Sequence, residues 1–198
     1  MANQNGSKYG FTGLFPIKIG GHSANLRTLL RSLDDTHRYP RGSPLSEVSI
    51  VHMARFVIVD RLAYQGLPAK VDTLKSDYLL FVCDFDGYSV DTLIHAMVRN
   101  MAGQVTGIWG HCVGFPGIQS CDRLAVYFEQ CQLKTNLLLA DQPEASVDDI
   151  LMGLMCRRRF GEFIRQVQRK PRAPAVLKRG FRLMWRSHQN DRPHAGDL

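Results

Sequence analysis

Residues 48–62, VSIVHMARFVIVDRL, decide how this chain is read. Strict alternation puts His52, Ala54, Phe56, Ile58 and Asp60 on one face, and Met53, Arg55, Val57, Val59 and Arg61 on the other. A period of two rich in β-branched residues is the signature of a strand. Upstream, Phe11 to Ile19 (FTGLFPIKI) reads as a first strand, with Pro16 near its end. Gly20-Gly21 turns the chain, and Ser23 caps a helix carrying Leu26, Leu29, Leu30 and Leu33 at helical spacing. Asp34 to Pro44 is a polar loop rich in turn formers. Downstream, a long connection, Ala63 to Lys75, leads to a continuous apolar strand, Asp77 to Asp84 (DYLLFVCD), closed by the turn Phe85-Asp86-Gly87.

Ser89 then caps a second helix, in which Val90, Leu93, Ile94, Met97, Val98 and Met101 form one broad stripe. Gly103 is expected to stop it, and Val105 to Val113 (VTGIWGHCV) to form a fourth strand. Beyond Gly117 come a helix (Ser120 to Gln132), a short strand (Asn136 to Ala140) and a long helix. Ser146 and Asp149 give that helix a carboxylate variant of the capping box, and Pro171 and Pro174 end it. The order β, α, β, β, α, β predicts an α+β fold, with two helices on one face of a four-stranded antiparallel sheet. Residues 1–170 are expected to form the domain with its helical extension, and 171–198 a basic, partly disordered tail. Both sheet faces are too apolar for water. The second must be covered by another subunit, giving a homodimer, or by residues 118–170.

Charge is unevenly spread. Residues 1–155 hold 13 Lys or Arg against 15 Asp or Glu, whereas residues 156–198 hold 12 against 3, so the basic character belongs to the C-terminal part. No apolar run approaches the roughly 18–20 residues of a membrane span, and Met1 to Lys8 lacks the apolar region of a secretory signal. Five cysteines without CxxC pairing, three of them (Cys83, Cys112, Cys131) inside apolar stretches, read as reduced thiols rather than a zinc site. These features together predict a cytoplasmic protein. The nucleophile-elbow, P-loop, HExxH and GxGxxG patterns are all absent.

A βαββαβ unit over Phe11 to Gly117 with an apolar, uncovered sheet face is ferredoxin-like and resembles the dimeric α+β barrel superfamily. That resemblance implies two sheets packed face to face. It also implies a small-molecule enzyme, with members among haem-degrading and quinone-forming monooxygenases, haem peroxidases, aldoxime dehydratases and small cyclases. The Gly-x-x-Asp-Gly stretch of the dye-decolourising peroxidases is absent, and Asp84-Phe85-Asp86-Gly87 only echoes it. No catalytic residue therefore carries over by motif, and the fold alone names no chemistry.

Candidate residues come from their positions. His52 and His111 lie within apolar strands, where an imidazole must be hydrogen-bonded, coordinated or exposed. Each is a candidate haem ligand or general base, with Trp109 as an aromatic wall beside His111. Arg55, in an apolar strand, needs an anionic partner, which Asp84 or Asp86 could supply; as a functional group it would bind a carboxylate or a haem propionate. His95, between polar Asp91 and Arg99, reads as solvent-facing. Tyr64 to Lys70 (YQGLPAK), with Tyr78 nearby, could close over a pocket.

Three functions remain open. The first is an oxidoreductase using haem or oxygen on an apolar or aromatic substrate. The second is a non-catalytic module binding a membrane or a protein partner. The third is a cofactor-free cyclase or isomerase depending on one His and one carboxylate, Asp60 or Asp84. Val176 to Trp185 (VLKRGFRLMW) reads as a basic amphipathic segment for an anionic membrane surface. The slightly acidic body argues against nucleic acid.

Overall fold

A computed structural model describes residues 3–33, 43–64, 66–67, 74–169, 173–190 and 193. Its strands are β1 (Gln4–Asn5), β2 (Lys8–Pro16), β3 (Val51–Val59) and β4 (Tyr78–Asp86), in the antiparallel order β1-β2-β4-β3. Its helices are α1 (His22–Ser32), α2 (Val90–Trp109), α3 (Cys121–Gln130), α4 (Val147–Arg169) and α5 (Pro174–Asn190), with a 3₁₀ turn at Pro44–Glu47. Because β2 and β3 are both antiparallel to β4, they run parallel to each other on either side of it. A hairpin cannot join them, so the chain crosses over the sheet through α1.

The core lies between one sheet face and helices α1 to α3. Phe11, Phe15, Phe81 and Phe85 point inward from β2 and β4 at period two, and meet Leu93, Ile94, Met97, Trp109, Leu124 and Phe128 from the helices. Trp109 is the hub: its ring lies 5.0 Å from Phe128, 5.2 Å from Phe81, 5.9 Å from Phe15 and 6.0 Å from Phe56. Cys83 and Cys112 are fully buried free thiols within this core.

The expected fourth strand does not form. The helix runs on through Gly103 to Trp109, broken only at Met101 (φ −142°, ψ 40°). The reason is spacing: Met101, Val105, Ile108 and Trp109 continue the buried stripe at i, i+4, i+7 and i+8. That periodicity overrides the strand preference of Val, Thr, Ile and Trp. Gly103 sits on the exposed side with nothing within 4 Å of a Cβ, so it costs the helix only propensity and ends nothing.

The outer edge of β2 is completed by three separate pieces. β1 pairs with Tyr9 and Lys8. The chain leaving α3 adds Leu14 N–H to the Cys131 carbonyl (2.9 Å) and Leu133 N–H to the Thr12 carbonyl (2.7 Å). The chain leaving α2 adds Val113 N–H to the Pro16 carbonyl (2.8 Å) and Lys18 N–H to the His111 carbonyl (2.9 Å). An edge with unmade hydrogen bonds is thereby closed.

Asn136 to Ala140 is not a strand either. It crosses the outer sheet face as irregular chain, pinned where Asn5 Nδ2 donates to the Leu138 carbonyl (3.0 Å), with the Leu138 side chain seated over Gly10. The capping box at α4 forms as read: Asp149 N–H donates to Ser146 Oγ (3.1 Å), and Ser146 N–H donates to Asp149 Oδ2 (3.0 Å). Within the span read as a tail, α5 is a helix packed on α4 through Phe160, Phe163 and Phe181. Residues 34–42 of the polar loop, and Gln65 and Pro68 to Lys70 of the segment read as a closing loop, lie outside the described residues.

Gly13 tests this packing. A Cβ there would stand 2.6 Å from Phe15 Cε2 and 2.7 Å from Phe11 Cε1. Gly13→Val should therefore cost about 1–3 kcal/mol by overpacking, read as a lower urea midpoint at unchanged m-value. An unchanged midpoint would mean that the two rings do not flank this position.

Candidate functional site

Alternation counted back from Ala54, Phe56 and Ile58 would place His52 on the core face. The register between β3 and β4 slips between Val51 and Met53, leaving His52 as the extra residue of a β-bulge. A bulge re-aims a side chain, and here it corrects the face assigned from sequence. His52 turns to the outer face, where its Nε2 lies 2.7 Å from Asp86 Oδ1.

Asp86 is the anchor of this end of the sheet. Its Oδ1 accepts from both His52 and Lys8 Nζ, and its Oδ2 accepts from Val147 N–H (2.8 Å) at the start of α4. Lys8 is 6% exposed and also donates to the Ala145 carbonyl, so the cation has two oxygens to replace water. Burial alone would raise the Asp86 pKa. The hydrogen bonds from Lys8, His52 and Val147 outweigh it and hold the carboxyl below its usual range. An ionised carboxylate only accepts, so His52 Nε2 must carry a hydrogen, and in the neutral ring Nδ1 is the nitrogen with a lone pair.

Two residues back on the same face of β4, Asp84 has the opposite environment. Burial raises its pKa, only partly offset by the charge of His52. Asp84, His52 and Lys8 line one cavity of about 390 Å³, and Leu138, Leu139, Ala140 and Ile150 give it an apolar wall. Asp141 and Gln142 complete the rim.

The other residues singled out in the sequence lie elsewhere. His111 is at the far end of β2, roughly 25 Å away by strand rise, with its Nδ1 2.9 Å from His22 Nδ1. Burial, then the charges of His22 and Lys18, hold its pKa below the usual value. Arg55 is exposed and helps line a second cavity of about 380 Å³ with Leu30, Leu33, Phe56 and Met101. It lies opposite Val82 and makes no ion pair with Asp84 or Asp86. Asp60 pairs with Arg27 (3.0 Å) at the surface, and His95 is exposed on α2.

The haem site expected from the sequence would bring His111 or His52 together with Arg55 and Trp109 around one cavity. These residues do not supply that cradle. His52 and Arg55 line different cavities, His111 is engaged by His22, and Trp109 is enclosed in the core with its Nε1–H unpartnered. Among the described residues, no group of three or more His, Cys, Asp or Glu is placed to hold a metal ion.

Sequence reasoning picked out His52 and Asp84 but missed Lys8, which it placed in a polar leader. Carrying the alternation of β2 back from Phe11 would have put Lys8 on the outer face, opposite Asp86.

Asp86→Asn should cost on the order of 3 kcal/mol, because Lys8 is left buried without its counter-charge. The pH dependence follows from the direction of the shift. A carboxyl held below its unfolded pKa of 3.8 stabilises the fold above that pH, and this stabilisation is lost as pH falls through the folded value. Denaturant midpoints measured from pH 6 to pH 2 should therefore drop more steeply for the wild type than for Asp86→Asn. Parallel slopes would remove Asp86 from this role.

No protein-family model, no curated protein and no solved structure matches this chain, so the chemistry of the site is read from its own residues.

Proposed function

We propose that this chain is a cofactor-free acid–base enzyme, an isomerase or cyclase acting on a small, largely apolar molecule. The observation that carries this is the sharing of one apolar-walled cavity by His52 and Asp84, whose neighbours push them to different tasks. His52 is the base. Asp86 holds its Nε2–H, fixing the tautomer and stabilising the imidazolium that forms when Nδ1 accepts a proton. Asp84 is the acid: desolvation raises its pKa, so it can hold a proton and release it to the substrate. One proton leaves the substrate for His52 and one arrives from Asp84, so the substrate is isomerised without change of oxidation state. Leu138, Leu139 and Ile150 receive its apolar part.

The test is proton exchange at carbon. The protein is incubated in D₂O with a panel of small apolar carbonyl compounds bearing an acidic C–H, and deuterium uptake is read by mass spectrometry. Uptake with the wild type should fall about 10²- to 10⁴-fold in His52→Ala and in Asp84→Asn, with circular dichroism unchanged. The proposal fails if no compound exchanges and none shifts the His52 ring resonances. Exchange that survives both substitutions sinks it equally.

A further inference from the structure

We infer that α5 docks the chain on an anionic lipid bilayer, lying in the plane of the membrane surface. The inference is independent of the catalytic reading. No helix among the described residues is long and apolar enough to cross a membrane, so the contact is with the surface. Helix α5 carries no acidic residue, and residues 156–190 hold eleven Lys or Arg against Glu162 alone.

Amphipathicity alone would be satisfied by packing on α4. Leu177, Gly180 and Met184, at i, i+3 and i+7, are half-buried and turn toward it, and Gly180 lets the Phe163 ring approach to 3.2 Å of a Cβ position. The apolar arc is wider than α4 covers. Val176 and Leu183, seven residues apart and so in one line along the helix, are 48% and 58% exposed. Arg179 and Arg186, each three residues further on, make an adjacent exposed line of cations, with Lys178 and Arg182 beyond.

Exposed aliphatics bordered by cations match the acyl boundary and the headgroups of an anionic bilayer. A nucleic acid would engage the cations and leave Val176 and Leu183 in water. Neither cavity described above is lined by α5.

The experiment is co-sedimentation of the full chain with phosphatidylcholine vesicles, with and without phosphatidylserine. Binding is expected only with phosphatidylserine and should weaken as salt rises. Arg179→Gln with Arg186→Gln should weaken it roughly 30-fold, at about a factor of five per cation. Val176→Ser with Leu183→Ser should also reduce it strongly; all four positions are exposed, so the fold is kept. The inference is overturned if phosphatidylcholine alone binds as well, or if no vesicle binds. It is also overturned if the serine variant binds vesicles normally while random-sequence duplex DNA competes, since the surface would then be a polyanion site.

Discussion

A carboxylate taken partly out of water stays ionised only where donors replace the water, and at Asp86 meeting that condition organises one end of the molecule. The three donors come from three remote places: Lys8 from β2, His52 from the bulge in β3, and the Val147 amide from the first turn of α4. Lys8 in turn holds the Ala145 carbonyl, so the irregular chain that crosses the outer sheet face is tied down just before α4 begins. Asp84, Lys8 and His52 on the strands and Leu138 and Leu139 on that chain line one cavity.

At the other long edge of the sheet the constraint is backbone hydrogen bonding. With α2 helical to Trp109, only the two-residue strand β1 is left to pair with the outer edge of β2, and the rest of that edge would forfeit its bonds. The chains leaving α2 and α3 supply them. This fixes where α2 and α3 end, and it places Trp109 and Phe128 over Phe15 and Phe81. The aromatic core and the sheet edge are two consequences of one arrangement.

Most of the fold was legible wherever a single periodicity spoke: β3, β4, α1, the first half of α2, α3 and the capped start of α4. The misreading of residues 105–113 came from local preference, because β-branched residues after a glycine look like a strand until the i, i+4 spacing from Met101 is followed through. Asn136 to Ala140 misled for the same reason, since its leucines belong to irregular chain and two of them, Leu137 and Leu139, are exposed. Of the site, His52 and Asp84 were visible as polar residues in apolar strands. Their meeting was not, because a bulge is a register event between two strands and leaves no mark in either alone. The buried state of Lys8 was hidden too, since only pairing opposite Asp86 gives it a reason to be inside.

Asp84 and Asp86 have the same chemistry, project from the same face of one strand and stand two residues apart. Sequence cannot rank them, and intrinsic acidity does not either. What separates them is the count of donors: three converge on Asp86, while Asp84 meets none of these and keeps the cost of desolvation. One carboxyl is thereby held below its usual range beside an imidazole, and its neighbour is pushed above it, which is the difference the proposed acid–base function uses. That division requires the bulge, since an unbulged β3 would send His52 into the core and leave Asp86 with one fewer donor. The slip of a single residue in register thus gives two chemically equivalent acids opposite environments, one with His52 among its donors and one without.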